Sequence, residues 1–111
     1  MKVRWLRRAL REVEKAALYI ARIRPHSALR WAEDVIARME NVGELPESGR
    51  MVPEIGNPRI REIIHQDVRV IYRLDSDEIV VMIVWHTRRD VRKLIRRLES
   101  FRVPRVMDAS A

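Results

Sequence analysis

The sequence predicts an α+β domain of order β-α-α-β-β-β-α: an antiparallel sheet carrying an N-terminal helical hairpin and a short C-terminal helix. Three observations lead there. Two successive stretches repeat apolar residues at steps of three and four, a glycine- and proline-bearing segment follows, and the next three runs are rich in β-branched residues. At 111 residues there is room for one domain. It is expected to span residues 1–103, with 104–111 as a mobile tail beyond the helix-stopping Pro104.

Lys2 to Trp5 alternate polar and apolar, as a half-buried strand requires. From Leu6 the period changes: Leu6, Leu10, Val13, Ala17 and Ile20 line one face of a helix that Pro25 stops. Ser27 is placed to cap a second helix, with Leu29, Ala32, Ile36 and Met39 inward and Gly43 at its end. The segment "GELPESGRMVPEIGNP" holds all three glycines and three of the five prolines, and reads as the loop from helices to sheet.

"RIREIIH" and "VRVIYRL" flank Gln66 and Asp67, a tight hairpin signal. In the second strand Val68, Val70, Tyr72 and Leu74 form the buried face, opposite Arg69, Ile71 and Arg73. The turn "DSDE" leads into "IVVMIVW", Ile79 to Trp85, whose lack of polar alternation marks a central strand covered on both faces. Asp90 caps the last helix, Val91 to about Glu99, with Val91, Leu94 and Leu98 inward and Arg92, Lys93, Arg96 and Arg97 outward.

Composition narrows the chemistry. With 23 Lys+Arg against 16 Asp+Glu, the net charge of +7 points to a polyanion or an acidic protein as partner. The absence of Cys excludes disulfides, zinc-thiolate sites and thiol catalysis, and suits a cytoplasmic location. No apolar run reaches the ~18 residues of a membrane span, so no membrane association is expected. His26, His65 and His86 are scattered without ligand spacing, there is no Gly-rich phosphate loop, and the serines read as caps and turns. No metal or cofactor is predicted.

What remains is "VWHTRRDVRK" and the residues after it. Six of the ten residues from Arg88 to Arg97 are cationic, with Asp90 the lone acid among them. Such a group can hold phosphates while His86 moves a proton, or grip an acidic protein segment by Arg–carboxylate pairs, or simply solvate a helix face.

Four motifs in register carry a resemblance: "GR-x-VPE" at Gly49 to Glu54, "RE" at Arg61 and Glu62, "RVIYR" at Arg69 to Arg73, and "H-x-RRD" at His86 to Asp90. The chain resembles the RelE/ParE superfamily of bacterial type II toxins, most closely its ParE-like, plasmid-stabilisation branch. That resemblance implies a cognate antitoxin, bound through an acidic, partly disordered segment in a toxin-antitoxin hetero-oligomer. It implies growth arrest by poisoning DNA gyrase without an enzymatic activity. The alternative within the superfamily is a ribosome-dependent mRNA endoribonuclease, here with His86, Arg69, Arg73 and Arg88 as its reduced site. On the gyrase alternative the target surface comprises His86, Arg88, Arg89, Arg92, Lys93, Arg96, Arg97 and Phe101. The aromatic acid–base partner usual in those RNases is missing, since no Tyr follows Tyr72.

Overall fold

The computed structural model describes residues 1–101, so the predicted tail from Pro104 lies outside the described residues. Its elements are β1 (Lys2–Trp5), α1 (Arg7–Ile23), α2 (Pro25–Val42), β2 (Arg50–Met51), β3 (Ile60–His65), β4 (Val68–Leu74), β5 (Glu78–His86) and α3 (Val91–Ser100). The α+β class and the predicted order hold, with β2 as an additional two-residue strand. The five strands run β1-β5-β4-β3-β2.

One edge departs from the expected antiparallel sheet. β1 pairs with β5 in parallel, Lys2 opposite Glu78 and Trp5 opposite Val81. Parallel partners need a long crossover and leave no turn signal, so a reading based on hairpins detects only the antiparallel pairs.

Both faces of the sheet are covered. The helical hairpin packs on one through Ala9, Val13, Trp31, Val35, Met39 and Val42, against Val68, Val70, Tyr72, Ile79, Val81 and Val84. On the other, α3 and the loop after β2 bring Leu94, Leu98 and Val52 onto Ile60, Ile71, Val80, Met82, Ile83 and Trp85. Each such Val, Leu, Ile or Met side chain, fully buried, contributes ~1.5–3 kcal/mol. β4 is therefore covered on both faces, where one had been expected: Ile71 is as inaccessible as Val70.

The helices are turned only partly from their predicted faces. Val13 and Met39 are buried, and Ala17, Ile20 and Ala32 pack against the core, as predicted, but Leu10, Leu29 and Ile36 are exposed and α2 buries Ala28, Trp31, Val35 and Val42 in their place. Two apolar sets at helical spacing interleave in α2, and the set carrying the large Trp31 wins the core. Ser27 caps nothing, because α2 begins at Pro25 with Arg24 in the cap position. Proline at the first turn loses no hydrogen bond and presets φ, so helix initiation falls there. Val91 is also partly exposed, while Asp90 caps α3 as predicted, accepting from the Arg92 amide at 2.9 Å.

A bulge decides which face the end of β5 presents. The β4–β5 register steps from Ile71↔Ile83 to Tyr72↔Val81, leaving Met82 unpaired. Met82 and Ile83 thus face α3 together, and the alternation beyond them inverts. Val84 and His86 point toward the helical hairpin, and Trp85 toward α3.

Candidate functional site: a groove and a cationic junction

At the β5–α3 junction the predicted cations divide into used and free groups. The Arg89 guanidinium lies 3.9 Å over the Trp85 ring, and that of Arg97 lies 5.6 Å from the ring centre. Trp85 is itself only 2 % exposed, while Arg89 stays half open to solvent, so the guanidinium lies as a lid over a buried ring. Arg97 also donates to Glu12 of α1 at 2.8 Å, and Arg89 approaches the other carboxylate oxygen at 3.9 Å. Arg97, expected outward, is an internal tie between α3 and α1. Arg92 is held by Asp90 at 3.1 Å, and this hydrogen bond together with the cap keeps the Asp90 carboxyl below its usual range. Among the described residues Arg88, Lys93 and Arg96 stay exposed without a carboxylate partner. Phe101 packs half-buried against the α3-side core.

The four residues of the reduced RNase site do not come together. His86 stands opposite Val68 and faces the hairpin, whereas Arg69 stands opposite Trp85 and faces the other side of the sheet. Arg69 is sunk between two carboxylates: its Nε donates to Glu62 at 2.6 Å and its Nη2 to Glu54 at 2.7 Å. Arg73 is spent on Asp75, at 2.8 and 2.9 Å. Arg88 contributes its backbone amide, 3.1 Å from His86 Nδ1. An imidazole that accepts at Nδ1 carries its proton on Nε2 when neutral. Its cationic partners on β4 lie across the sheet.

Arg69, Glu62, Glu54 and Arg50 form a chain that fastens the loop after β2 onto the sheet, Arg50 donating to Glu62 at 2.7 Å. The hydrogen bond from Arg69 draws the Glu54 carboxyl below its ordinary range, against the opposing pull of partial burial. Asp75 is pushed up by burial, but Arg73 and Arg59 outweigh that and hold it low. These acids are structural counter-charges. Among the described residues no three His, Asp or Glu side chains gather as a metal site would need.

The concave feature on the His86 side is a groove of about 680 Å³ between the turn end of the helical hairpin, around Arg24, and the sheet. Its apolar lining comes from Tyr19, Ile20, Ile23, Trp31, Val68 and Val84. Tyr19 and Ile23 are 63 % and 64 % exposed, an unusual state for large apolar side chains beside a cavity. Lys15, Arg24, Arg30, His86 and Arg89 make its rim predominantly basic, with Glu12, Asp34 and Asp67 interspersed.

The model of the ParE toxin of the type II toxin-antitoxin system parDE matches residues 3–91. The chain belongs to this ParE toxin family. No curated protein sequence matches it. Among solved structures, a chain of the chromosomal ParDE toxin-antitoxin system from P. aeruginosa is similar at 17 % identity with a TM-score of 0.67, covering 78 % of this chain and 95 % of its own. At that identity the likeness speaks for the fold.

In this ParE-family chain the sequence located the cationic junction but missed the groove. Tyr19, Ile23 and Trp31 lie on helix faces whose orientation only the packed hairpin fixes. Glu12 was missed too, because its two arginine partners lie far along the chain. The buried pair Glu62–Arg69 left a usable signal: the lone acid of two apolar strands, with an arginine diagonal to it across the hairpin.

Proposed function

We propose that this chain is a ParE-type toxin that arrests growth by inhibiting DNA gyrase through binding rather than by cutting RNA, acting in the cytoplasm and silenced by its antitoxin. Membership of the ParE family supports the toxin. The observation that carries the choice of mechanism is the separation of His86 from Arg69 and Arg73 by the thickness of the sheet, with both arginines consumed by carboxylates. General acid–base cleavage needs its donor, its acceptor and a phosphate anchor within hydrogen-bond reach of one substrate. A binding poison needs only a rigid exposed surface. Arg88 in the turn before α3, with Lys93 and Arg96 on that capped helix, fixed through Arg97 and Trp85, supply one.

The groove is the natural seat of the antitoxin. An acidic amphipathic segment would lay apolar side chains on Tyr19, Ile23 and Trp31 and its carboxylates on Lys15, Arg24, Arg30 and Arg89. Supercoiling by purified gyrase, measured beside transcript integrity in cells expressing the toxin, tests the mechanism. Loss of supercoiling with intact transcripts, unchanged by His86→Ala, is expected. Untouched supercoiling together with His86-dependent transcript cleavage would overturn it.

A further inference from the structure

We propose that the outer face of α1 is a docking surface for the phosphate backbone of duplex DNA. Arg8, Arg11, Lys15 and Arg22 are all exposed, and at 100° per residue they fall within about 60° of arc. From Arg8 to Arg22 the stripe runs about 21 Å along the helix at 1.5 Å per residue. Among the described residues none of the four has a carboxylate partner, although the cations of the strands and turns are extensively paired. Arg11 and Lys15 are four residues apart, a like-charge spacing that weakens a helix. The acids nearest the stripe on α1 are Glu12 and Glu14. Glu12, at the border, is already occupied by Arg97 and Arg89 of the α3 junction, which removes its negative field from the stripe. Glu14 lies on the opposite flank, exposed.

The chemistry of the surface selects its occupant. Apart from Leu18 the stripe offers no apolar anchor, so a protein segment would gain little burial there, whereas the groove on the other flank provides it. Single strands are gripped through bases stacked on several successive aromatics, and the stripe has only one exposed aromatic at its border, Tyr19, which lies outside the arc and lines the groove. A straight, rigid row of cations that reads no base edges suits the regular phosphates of a duplex. This surface does not depend on the choice of gyrase as target, since the binding is to DNA alone.

The test is fluorescence anisotropy of the full-length chain with a labelled duplex over a range of salt. If all four cations reach phosphates, log affinity falls with log salt at a slope of about −3.6. The triple variant Arg8→Gln, Arg11→Gln, Lys15→Gln should lose at least tenfold affinity at low salt and flatten the slope by about 2.7. A variant of equal net charge, Lys2→Gln, Arg24→Gln, Arg30→Gln, should lose less than threefold, with circular dichroism showing both folded. Equal losses in the two variants would reduce the effect to net charge and overturn the proposal. So would polyglutamate or single-stranded DNA competing as well as unlabelled duplex.

Discussion

Arg69 on β4 and Glu62 on β3 meet diagonally across the sheet, Nε to Oε1 at 2.6 Å, with the Glu62 side chain wholly shut off from water. Removing Glu62 leaves the nearly buried Arg69 Nε without its partner, although Glu54 still faces the guanidinium, and a buried polar group left unpaired costs more than the pair itself contributes. Glu62→Ala should therefore lower stability by about 3 kcal/mol, read as a fall in the urea midpoint. Glu54→Ala, at the more exposed end of the same chain, should cost distinctly less.

The Gly49 amide donates to the Tyr72 hydroxyl at 3.0 Å, and that hydroxyl donates to the Pro46 carbonyl at 3.0 Å. Burial pushes the phenol up, so it keeps the proton it donates. Tyr72→Phe should cost about 1–3 kcal/mol, since the Gly49 amide is left buried without its partner. Gly49→Ala should be worse, because its Cβ would collide with the phenol and lie 2.7 Å from the Glu62 carbonyl. In the double variant the cost should fall below the sum of the singles, as measured in a thermodynamic cycle.

Stability should fall on acidification in two stages. Burial, aided by Arg38, lowers the pKa of His65, so the unfolded chain takes a proton there more readily. That part of the stability is lost as pH drops below the unfolded value of about 6.5 and through the lowered folded one. Glu54 and Asp75 are also held low in the fold, so their contribution is full above the ordinary carboxylate range and disappears as pH falls through their folded values. Thermal melts from pH 8 to pH 3 should show both limbs. His65→Leu should remove only the upper one.

If the groove seats the antitoxin, Tyr19→Glu and Ile23→Glu should each weaken the complex by about thirtyfold or more, the effect of losing a hot spot worth ~2 kcal/mol. Both side chains project into solvent in the free toxin, so the melting temperature of the toxin alone should hardly move. Calorimetric titration with the antitoxin measures the first effect and a melt the second.

Much of the fold was legible because its signals are local. The hairpin at Gln66–Asp67, the apolar run of β5 and the Asp90 cap each declare themselves within a few residues. What stayed hidden depends on partners distant in sequence: the parallel β1–β5 edge, the rotation of α2 set by Trp31, and the bulge at Met82 that turns His86 away from Arg69. The candidate site followed the same division. Its cationic cluster is contiguous in sequence and was found, whereas its geometry is fixed by Glu12 and Trp85, and sorting the free arginines from the engaged ones needed those contacts.

The pairing of β1 with β5 also sets a timetable for the molecule. β1 receives its hydrogen-bonding partner only once residues 78 to 81 exist, and in the meantime the hairpin must wait with its sheet-facing side uncovered. On the proposed reading, a chain that has not reached β5 lacks the surface formed by Arg88 and α3. A truncated product that stops short of β5 should therefore be inert.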